Sequence, residues 1–283
     1  MNKLNSNAAS NPILYDAAAA FDFFKSAGKE EKVAAGKIIF AEDQKGSRFL
    51  LQRDKMYFLL DGEVEFSAKN KHIGTARKGE IFGELGSITQ SARSATATSK
   101  TPCSFITLDD KQLQEALRNS PEFALTLMGV MTLRLRKTIA RLKETGTLSA
   151  DEAWKESAVF DKKLLAELSE ELGHNSRMRF SEEKIIVQEG QAGVLMYVVL
   201  EGRVAVTIQG SVVEKIGAGG MFGEMALIGR TERLANVIAE TDCSLLAINR
   251  NVFIDLMKDN PKFGVTLLNA VGERARYMAL RLA

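Results

Sequence analysis

Cysteine and histidine are scarce in this sequence. Two cysteines, Cys103 and Cys243, are too few and too far apart for a disulfide framework. Ser and further apolar residues follow each cysteine, so we expect both thiols in buried strands. Two histidines, His72 and His174, cannot supply the clustered ligands of a metal centre. No activated Ser, Cys or Lys nucleophile is recognisable either, so the sequence predicts a protein that is not an enzyme and holds no metal or cofactor.

The chain also lacks a large excess of charge of either sign and has no long apolar runs. The formal net charge is +2 in a chain with 26% charged residues, which is no electrostatic footprint for nucleic acid or an acidic membrane. The segment Met1–Pro12 is polar, and no apolar run reaches the length of a bilayer span. We therefore expect a cytoplasmic protein without a membrane or nucleic-acid partner.

An internal repeat organises the 283 residues. Identical residues recur at a constant separation of 140 along much of each half-chain. The matches include Tyr57 with Tyr197, Gly62 with Gly202, Gly79 with Gly219, Phe82 with Phe222, Cys103 with Cys243 and Pro121 with Pro261. The first half carries about seven extra residues around Lys45–Asp54, which predict a longer loop. The repeat predicts one domain over 13–144, a linker over 145–159 and a second domain over 160–283.

The middle of each half has the pattern of short strands. Met56–Phe66 and Met196–Ile208 are rich in Val, Leu and aromatic residues and contain turn glycines. Turns such as Asp61-Gly62 and Gln209-Gly210 keep the strands closely spaced. This pattern predicts a small antiparallel β-barrel or jelly roll in each half.

Helical spacing of apolar residues follows the strands in both halves. It begins at Asp109 and Asn249, with Asp110 and Asn249 expected as N-caps. A second helix is expected to begin near Pro121 or Pro261, because proline is favoured at the first helical position. The predicted fold class is α+β, mainly β: two jelly rolls, each with flanking helices.

One segment of each half carries candidate functional residues. Gly79–Ile88 contains Phe-Gly-Glu and is followed by Arg93-Ser94-Ala95, and Gly219–Ile228 with Arg233-Leu234-Ala235 repeats the arrangement. These residues resemble the phosphate-binding cassette of the cyclic nucleotide-binding domain family. The tandem copies resemble the regulatory subunits of cyclic-nucleotide-dependent protein kinases, of which that of cAMP-dependent protein kinase is one.

The resemblance implies a role for each matching residue. Glu84 and Glu224 would accept the ribose 2′-hydroxyl, while Arg93 and Arg233 would bind the exocyclic phosphate oxygens. Arginine suits this anion because its planar fork donates two parallel hydrogen bonds. Short helices opening at the two glutamates would aim backbone amides at the phosphate. The other predicted ligand-binding residues of the cassettes are Phe82, Gly83, Leu85, Gly86, Ser94 and Ala95, and Phe222, Gly223, Met225, Ala226, Leu234 and Ala235.

Two positions bear on the ligand and its lid. The resemblance implies a small or hydroxylated residue after the arginine; Ser94 fits and Leu234 departs from it. In this family a threonine there goes with cGMP, so the sequence favours cAMP over cGMP.

Tyr277 is a candidate base-binding lid in the second half, and a half-buried interface tyrosine is the alternative. The equivalent residue of the first half is Lys137.

The resemblance implies a sensor whose trailing helices shift on ligand binding and signal to an effector protein. A scaffold that keeps the fold and binds no nucleotide is the alternative. The basic residues of 133–143 are expected on a solvated helix face rather than on nucleic acid. We expect no helix-turn-helix in the residues up to Ala283, and no basic pseudosubstrate segment, because the first arginine is Arg48. Periodicity leaves open whether the helix Phe123–Leu142 mediates a homodimer or joins the two barrels.

Overall fold

The computed structural model describes residues 16–45, 54–146, 154–155, 158–229 and 231–281. Within them each half forms two mainly antiparallel sheets with flanking helices, which confirms the predicted fold class. Most of the predicted loop Lys45–Asp54 and of the predicted linker 145–159 lies outside the described residues. The domain boundaries therefore stay a prediction.

The first half folds into two four-stranded sheets that face each other. One sheet has the order β1-β8-β3-β6 and the other β2-β7-β4-β5. The strands are β1 (Lys29–Val33), β2 (Ile38–Phe40), β3 (Lys55–Asp61), β4 (Glu63–Ala68), β5 (Lys71–Arg77), β6 (Ile81–Phe82), β7 (Thr96–Ser99) and β8 (Cys103–Asp109).

The second half repeats this order and adds a short edge strand, β9, which pairs in parallel with β14. Its sheets run β10-β17-β12-β15 and β11-β16-β13-β14-β9. The strands are β9 (Trp154–Lys155), β10 (Arg177–Phe180), β11 (Ile185–Val187), β12 (Leu195–Glu201), β13 (Val204–Ile208), β14 (Ser211–Ile216), β15 (Met221–Phe222), β16 (Asn236–Ala239) and β17 (Cys243–Asn249).

Helices flank both barrels, and no described helix has the length and apolar character to cross a membrane. They are α1 (Ala17–Ala27), α2 (Glu84–Thr89), α3 (Asp110–Asn119), α4 (Pro121–Thr145), α5 (Lys162–Leu172), α6 (Glu224–Gly229), α7 (Arg250–Asp259) and α8 (Pro261–Leu280), with a 3-10 turn at His174–Ser176. Asn249 is the N-cap of α7, as expected. The expected N-cap Asp110 is wrong, because the side chain of Asp109 is the one that accepts a hydrogen bond from the Gln112 amide.

Each barrel has an aromatic and aliphatic core. Tyr57 stacks on Phe82 with ring centroids 4.8 Å apart, and Tyr197 stacks on Phe222 at 5.1 Å. Both cysteines are free and buried in strands within these cores, as predicted. Each pair joins a strand tyrosine to the phenylalanine that begins the Phe-Gly-Glu segment, and so anchors the start of that segment in the barrel core.

The two long helices, α4 and α8, pack against each other between the barrels. Helix α8 also contacts α2 of the first half, and α4 contacts α6 of the second half. Because equivalent elements exchange equivalent contacts, the halves are related approximately as the subunits of a two-fold dimer. One buried apolar cluster contains residues of both halves, among them Met131 and Val271. Within this chain α4 contacts both halves, and its part in a homodimer stays a prediction.

Candidate functional site

The two cassettes begin at glycines with left-handed backbone conformation. Gly83 has φ 73° and Gly223 has φ 89°, a region that side chains with a Cβ rarely enter. A Cβ on Gly83 would lie 3.1 Å from Cδ2 of Tyr57 and 3.2 Å from Nη1 of Arg93. These turns let α2 and α6 start directly at Glu84 and Glu224, which are both buried.

Arg93 is a buried cation held mainly by neutral groups. Its side chain is 4% exposed; Nη1 donates to the Gly83 carbonyl and Nη2 to the Lys55 carbonyl, each at 2.7 Å. Asp54 Oδ1 lies 3.4 Å from Nη2, and the guanidinium sits 4.4 Å from the ring centre of Phe40. Its Nε is buried and makes no hydrogen bond within the described residues. Arg93 is therefore a buried cation with an ion-pair partner, Asp54, and with one N–H group that makes no hydrogen bond within the described residues.

Arg233 repeats this geometry in the second half. Nη1 donates to the Gly223 carbonyl at 2.8 Å and Nη2 to the Leu195 carbonyl at 2.5 Å. Burial lowers the pKa of the Arg233 guanidinium, while Tyr197 and Glu224 partly oppose that shift. Removal from water thus disfavours this charge, and a bound anion would favour it.

Glu84 pairs with an arginine of the long helix that follows its own barrel. Arg134 of α4 donates through Nη1 to Oε1 of Glu84 and through Nη2 to the Ile81 carbonyl. The second oxygen, Oε2, is buried and accepts no hydrogen bond within the described residues. Glu84 therefore has one carboxylate oxygen without a hydrogen bond among the described residues, while Arg134 fixes the other.

Glu224 makes the equivalent pair with Arg274 of α8, whose Nη1 lies 2.7 Å from Oε1. In this half a second carboxylate, that of Glu214, also binds Arg274. Arg274 donates from Nε to Oε2 of Glu214 at 3.0 Å and from Nη2 to Oε1 at 2.9 Å. All three side chains are buried, so they form an ion triad inside the second half.

Each cassette lines a cavity between its barrel and the long helices. The cavity of the first half measures about 330 Å³ and that of the second about 80 Å³. Every predicted ligand-binding residue of the two cassettes lies on a cavity wall. The structure thus brings together the residues that the spacing singled out, and their binding role stays a proposal.

Helix residues of the opposite half complete each wall, which the sequence did not reveal. Ala275 and Ala279 of α8 border the first cavity, while Arg136 and Ile139 of α4 border the second. The offset of 140 could have indicated equivalent helices, but it could not show that they exchange places.

Tyr277, the candidate lid, does not border either cavity. Its ring lies against Arg281, whose guanidinium carbon is 5.2 Å from the ring centre, and it packs with the cluster between α4 and α8. On α8 the residues facing the second cavity are Arg274 and Met278, one turn apart, and Tyr277 projects from a different side. Its environment is that of the alternative, a half-buried interface tyrosine, whereas the equivalent Lys137 borders the first cavity.

The predicted solvated basic face of α4 is wrong for several of its residues. Arg136 donates to Oγ1 of Thr231 at 2.8 Å, and burial lowers the pKa of its guanidinium. Lys143 pairs with Glu189 and donates to the Leu234 carbonyl at 3.2 Å. These cations bind the second half, because α4 runs along its cassette.

Metal chemistry has no candidate in the described part of the chain, where no three His, Cys, Asp or Glu side chains are grouped to hold an ion.

Comparison with known families identifies the domain type. The model of the cyclic nucleotide-binding domain matches residues 30–120 and 177–260, which together make up more than half of the chain.

Curated relatives include protein kinases and a kinase regulatory subunit. The chain is 24% identical over 267 residues to the cGMP-dependent protein kinase egl-4 of Caenorhabditis elegans, covering 90% of this chain and 31% of the relative. It is 24% identical to the cAMP-dependent protein kinase regulatory subunit of Yarrowia lipolytica, covering 82% of this chain and 56% of that protein. The chain thus spans about a third of the first of these relatives and just over half of the second.

Solved structures with similarity include the regulatory domain of Toxoplasma gondii PKA with cAMP, at 22% identity and a TM-score of 0.31, covering 87% of both chains. The catabolite activator protein of Thermus thermophilus matches at 21% identity and a TM-score of 0.40, covering 47% of this chain and 61% of that one.

Proposed function

Because this chain belongs to the cyclic nucleotide-binding domain family, we propose that it is a receptor for a 3′,5′-cyclic nucleotide, cAMP rather than cGMP. Its tandem domains are related to the regulatory parts of cAMP- and cGMP-dependent protein kinases. One observation carries the proposal. A buried cation, Arg93, and a buried carboxylate, Glu84, border the same cavity, and each has a polar atom without a hydrogen bond among the described residues.

The cation suits the phosphate. A cyclic phosphate is a monoanion, and Arg93 is fixed by two carbonyls while its Nε has no partner among the described residues. A phosphate in this cavity would add a counter-charge to that of Asp54 and would offer an acceptor for Nε. Truncating one side of such a buried charged pair costs roughly 2 to 5 kcal/mol, or about 30-fold to several thousand-fold in affinity.

The carboxylate suits the sugar. Oε2 of Glu84 can accept a hydrogen bond from the lone 2′-hydroxyl, while Arg134 holds Oε1. A site built to accept a hydroxyl discriminates against a ligand that lacks it, because the buried acceptor is then left unpaired. We therefore assign Glu84 to the ribose.

The choice of cAMP rests on the residue after each arginine. Ser94 and Leu234 stand where a threonine in this family goes with cGMP. Both residues border their cavities beside the arginine. Leu234 has no hydroxyl and Ser94 is not a threonine, so we propose cAMP as the ligand.

The long helices provide the means of signalling. Helix α4 borders both cavities and is tied to the first cassette through Arg134 and to the second half through Arg136. If a ligand binds one position of α4 more tightly than another, it shifts the equilibrium between the two positions by the difference in binding free energy. In this proposal the chain catalyses no reaction, and an effector protein binds the shifted helices.

Calorimetry tests the proposal. Wild-type protein titrated with cAMP, cGMP, 5′-AMP and 2′-deoxy-cAMP should bind cAMP most tightly and lose affinity for the deoxy analogue. Arg93→Ala should weaken cAMP binding by about 30-fold or more. Arg77→Ala removes the same charge from an exposed strand position outside the cavity and serves as the control.

A flat titration with every nucleotide, together with an unchanged melting temperature at millimolar ligand, would contradict the proposal, since a ligand of the folded state must raise stability. That result would favour the scaffold alternative.

A further inference from the structure

The two cavities differ at one strand position. Gly74 of β5 pairs with Phe66 of β4, and Glu214 of β14 pairs with Val206 of β13, at the same register of the two hairpins. Both residues border their cavities. The first half therefore has no side chain where the second half places a carboxylate.

Glu214 changes the environment of the helix arginine. Arg274 is bound by Glu214 through Nε and Nη2 as well as by Glu224 through Nη1, and its side chain is 7% exposed. Arg134, its counterpart, pairs with Glu84 and the Ile81 carbonyl, and its side chain is 37% exposed. The second half thus uses its guanidinium within the protein, and the first half leaves the same group open towards the cavity.

The volumes of the two cavities and the charges on their walls also differ. The first cavity is about four times larger, and a ligand pocket normally needs roughly 300 Å³ or more. Its described wall carries four cationic and two anionic side chains, Arg93, Arg134, Lys137, Arg141, Glu80 and Glu84. The described wall of the second cavity carries three of each, Arg136, Arg233, Arg274, Glu214, Glu224 and Glu232.

Larger side chains at neighbouring wall positions also reduce the volume of the second cavity. Ala76 and Ser94 of the first wall correspond to the larger Ile216 and Leu234 of the second. Opening the second cavity would also expose or break a buried ion triad, which is strongly destabilising when one partner is left unpaired.

We propose that Glu214 keeps the second half closed to nucleotides, so that the first half is the cyclic-nucleotide site of this chain. This inference rests on the function proposed above and assigns its ligand, a nucleoside 3′,5′-cyclic monophosphate, to one cavity. The Glu214–Arg274–Glu224 triad takes up space in the wall of the second cavity, and Glu214 adds a negative charge where a ligand phosphate would enter. Gly74 is the feature that leaves the first site open.

Stoichiometry provides the first test. Native mass spectrometry and calorimetry with cAMP should find one nucleotide per wild-type chain, and Arg93→Ala should lose it. Two nucleotides per wild-type chain, or one retained in Arg93→Ala at the wild-type affinity, would overturn the assignment.

Exchange of the deciding residue provides the second test. Gly74 has a negative φ and open space around the position of a Cβ, so Gly74→Glu introduces no backbone strain or local clash. The new carboxylate should pair with Arg134 and weaken cAMP binding by about 100-fold, because a like charge beside the phosphate is costly. Gly74→Gln, of the same size without the charge, should weaken it less. Wild-type affinity in Gly74→Glu would overturn the inference.

The reverse change, Glu214→Gly, should raise the stoichiometry to two, and Arg233→Ala in that background should remove the gained nucleotide. Should Glu214→Gly fail to fold in a thermal melt, the two Gly74 variants decide alone. No binding by wild type or any variant would overturn the proposed function and this inference together. Two wild-type equivalents would overturn only this inference and leave the receptor function intact.

Discussion

Glycine and arginine share the geometry of each cassette. Gly83 turns the chain into α2, and its carbonyl fixes Nη1 of Arg93 at 2.7 Å. The same carbonyl contact recurs at 2.8 Å between Gly223 and Arg233. The glycine therefore sets the backbone direction and places the cation, and a side chain there would disturb both.

Gly83→Ala should lower the free energy of unfolding by roughly 1 to 2 kcal/mol through the left-handed backbone alone. It should also weaken cAMP binding, because the added Cβ lies 3.2 Å from Nη1 of Arg93. Urea unfolding and calorimetry measure the two effects.

Gly36→Ala is the matched control for Gly83→Ala. Gly36 has φ 75° and no atom within 4 Å of a built Cβ, so it should show the backbone cost without the loss of affinity. Equal affinities in the two variants would show that Gly83 does not position Arg93.

Tyr57 links barrel stability to alkaline pH. Burial raises the pKa of its hydroxyl to about 12, with Arg93 opposing and Glu31 and Asp54 assisting. The folded protein then holds this proton more tightly than the unfolded chain. The stabilisation is complete below pH 10 and falls by up to about 1.4 kcal/mol per pH unit as pH rises towards 12.

Tyr57→Phe should remove that part of the alkaline decline, so wild type and variant should converge or cross in urea unfolding between about pH 10 and 12. Tyr197→Phe serves for comparison, because burial raises the pKa of Tyr197 as well and its ring occupies the equivalent stack. Parallel pH profiles for wild type and Tyr57→Phe would contradict this account.

At the scale of elements, close packing between helices decides how the halves meet. A Cβ on Gly272 of α8 would lie 2.9 Å from Cγ2 of Thr89, at the end of α2. Ser91 donates to Oε1 of Glu273 at 3.2 Å at the same contact. A small residue at position 272 therefore lets α8 approach the first cassette.

Gly272→Ala should be less stable than Gly264→Ala by about 1 kcal/mol or more. Both changes improve helix propensity by roughly 1 kcal/mol. A Cβ on Gly264 meets its nearest atom, Cε of Met257, at an ordinary 3.5 Å. Denaturant unfolding of the two variants gives the difference, and equal stabilisation would show that the contact with Thr89 adjusts without cost.

In addition to the core of each barrel, the described residues form a buried apolar cluster that joins the two halves. The buried cluster that includes Met131 and Val271 spans both halves, and each cavity is bordered by helices of both. A ligand in either cavity would therefore contact the half that does not carry its cassette. In the proposed function, the helix pair is the physical connection between the two halves.

Binding of cAMP to the first half should slow amide hydrogen exchange in α8 as well as in α4, because Ala275 and Ala279 border that cavity. Exchange measured by mass spectrometry with and without ligand checks this expectation. Arg93→Ala at the same nucleotide concentration is the control and should show no protection. Protection confined to residues 55–145 would contradict coupling between the halves.

Local signals in the sequence determined the repeat, the two jelly rolls and the cassettes. Alternation within strands, turn glycines and the spacing from Phe82 to Arg93 depend on neighbouring residues, so one sequence suffices to detect them. Single-residue details were less secure, as the N-cap at Asp109 rather than Asp110 shows, because adjacent carboxylates compete for the same amide.

Tertiary structure alone decided which side chains meet. Ser91 and Glu273 are 182 residues apart, and the pairs of Glu84 with Arg134 and of Glu214 with Arg274 span 50 and 60 residues. Periodicity identifies the apolar side of α4 and α8 but not the surface that covers it, since that depends on how the helices cross. For the same reason, Tyr277 could not be placed from sequence, and the carboxylate of Glu214 became visible as part of a cavity wall only in the folded chain.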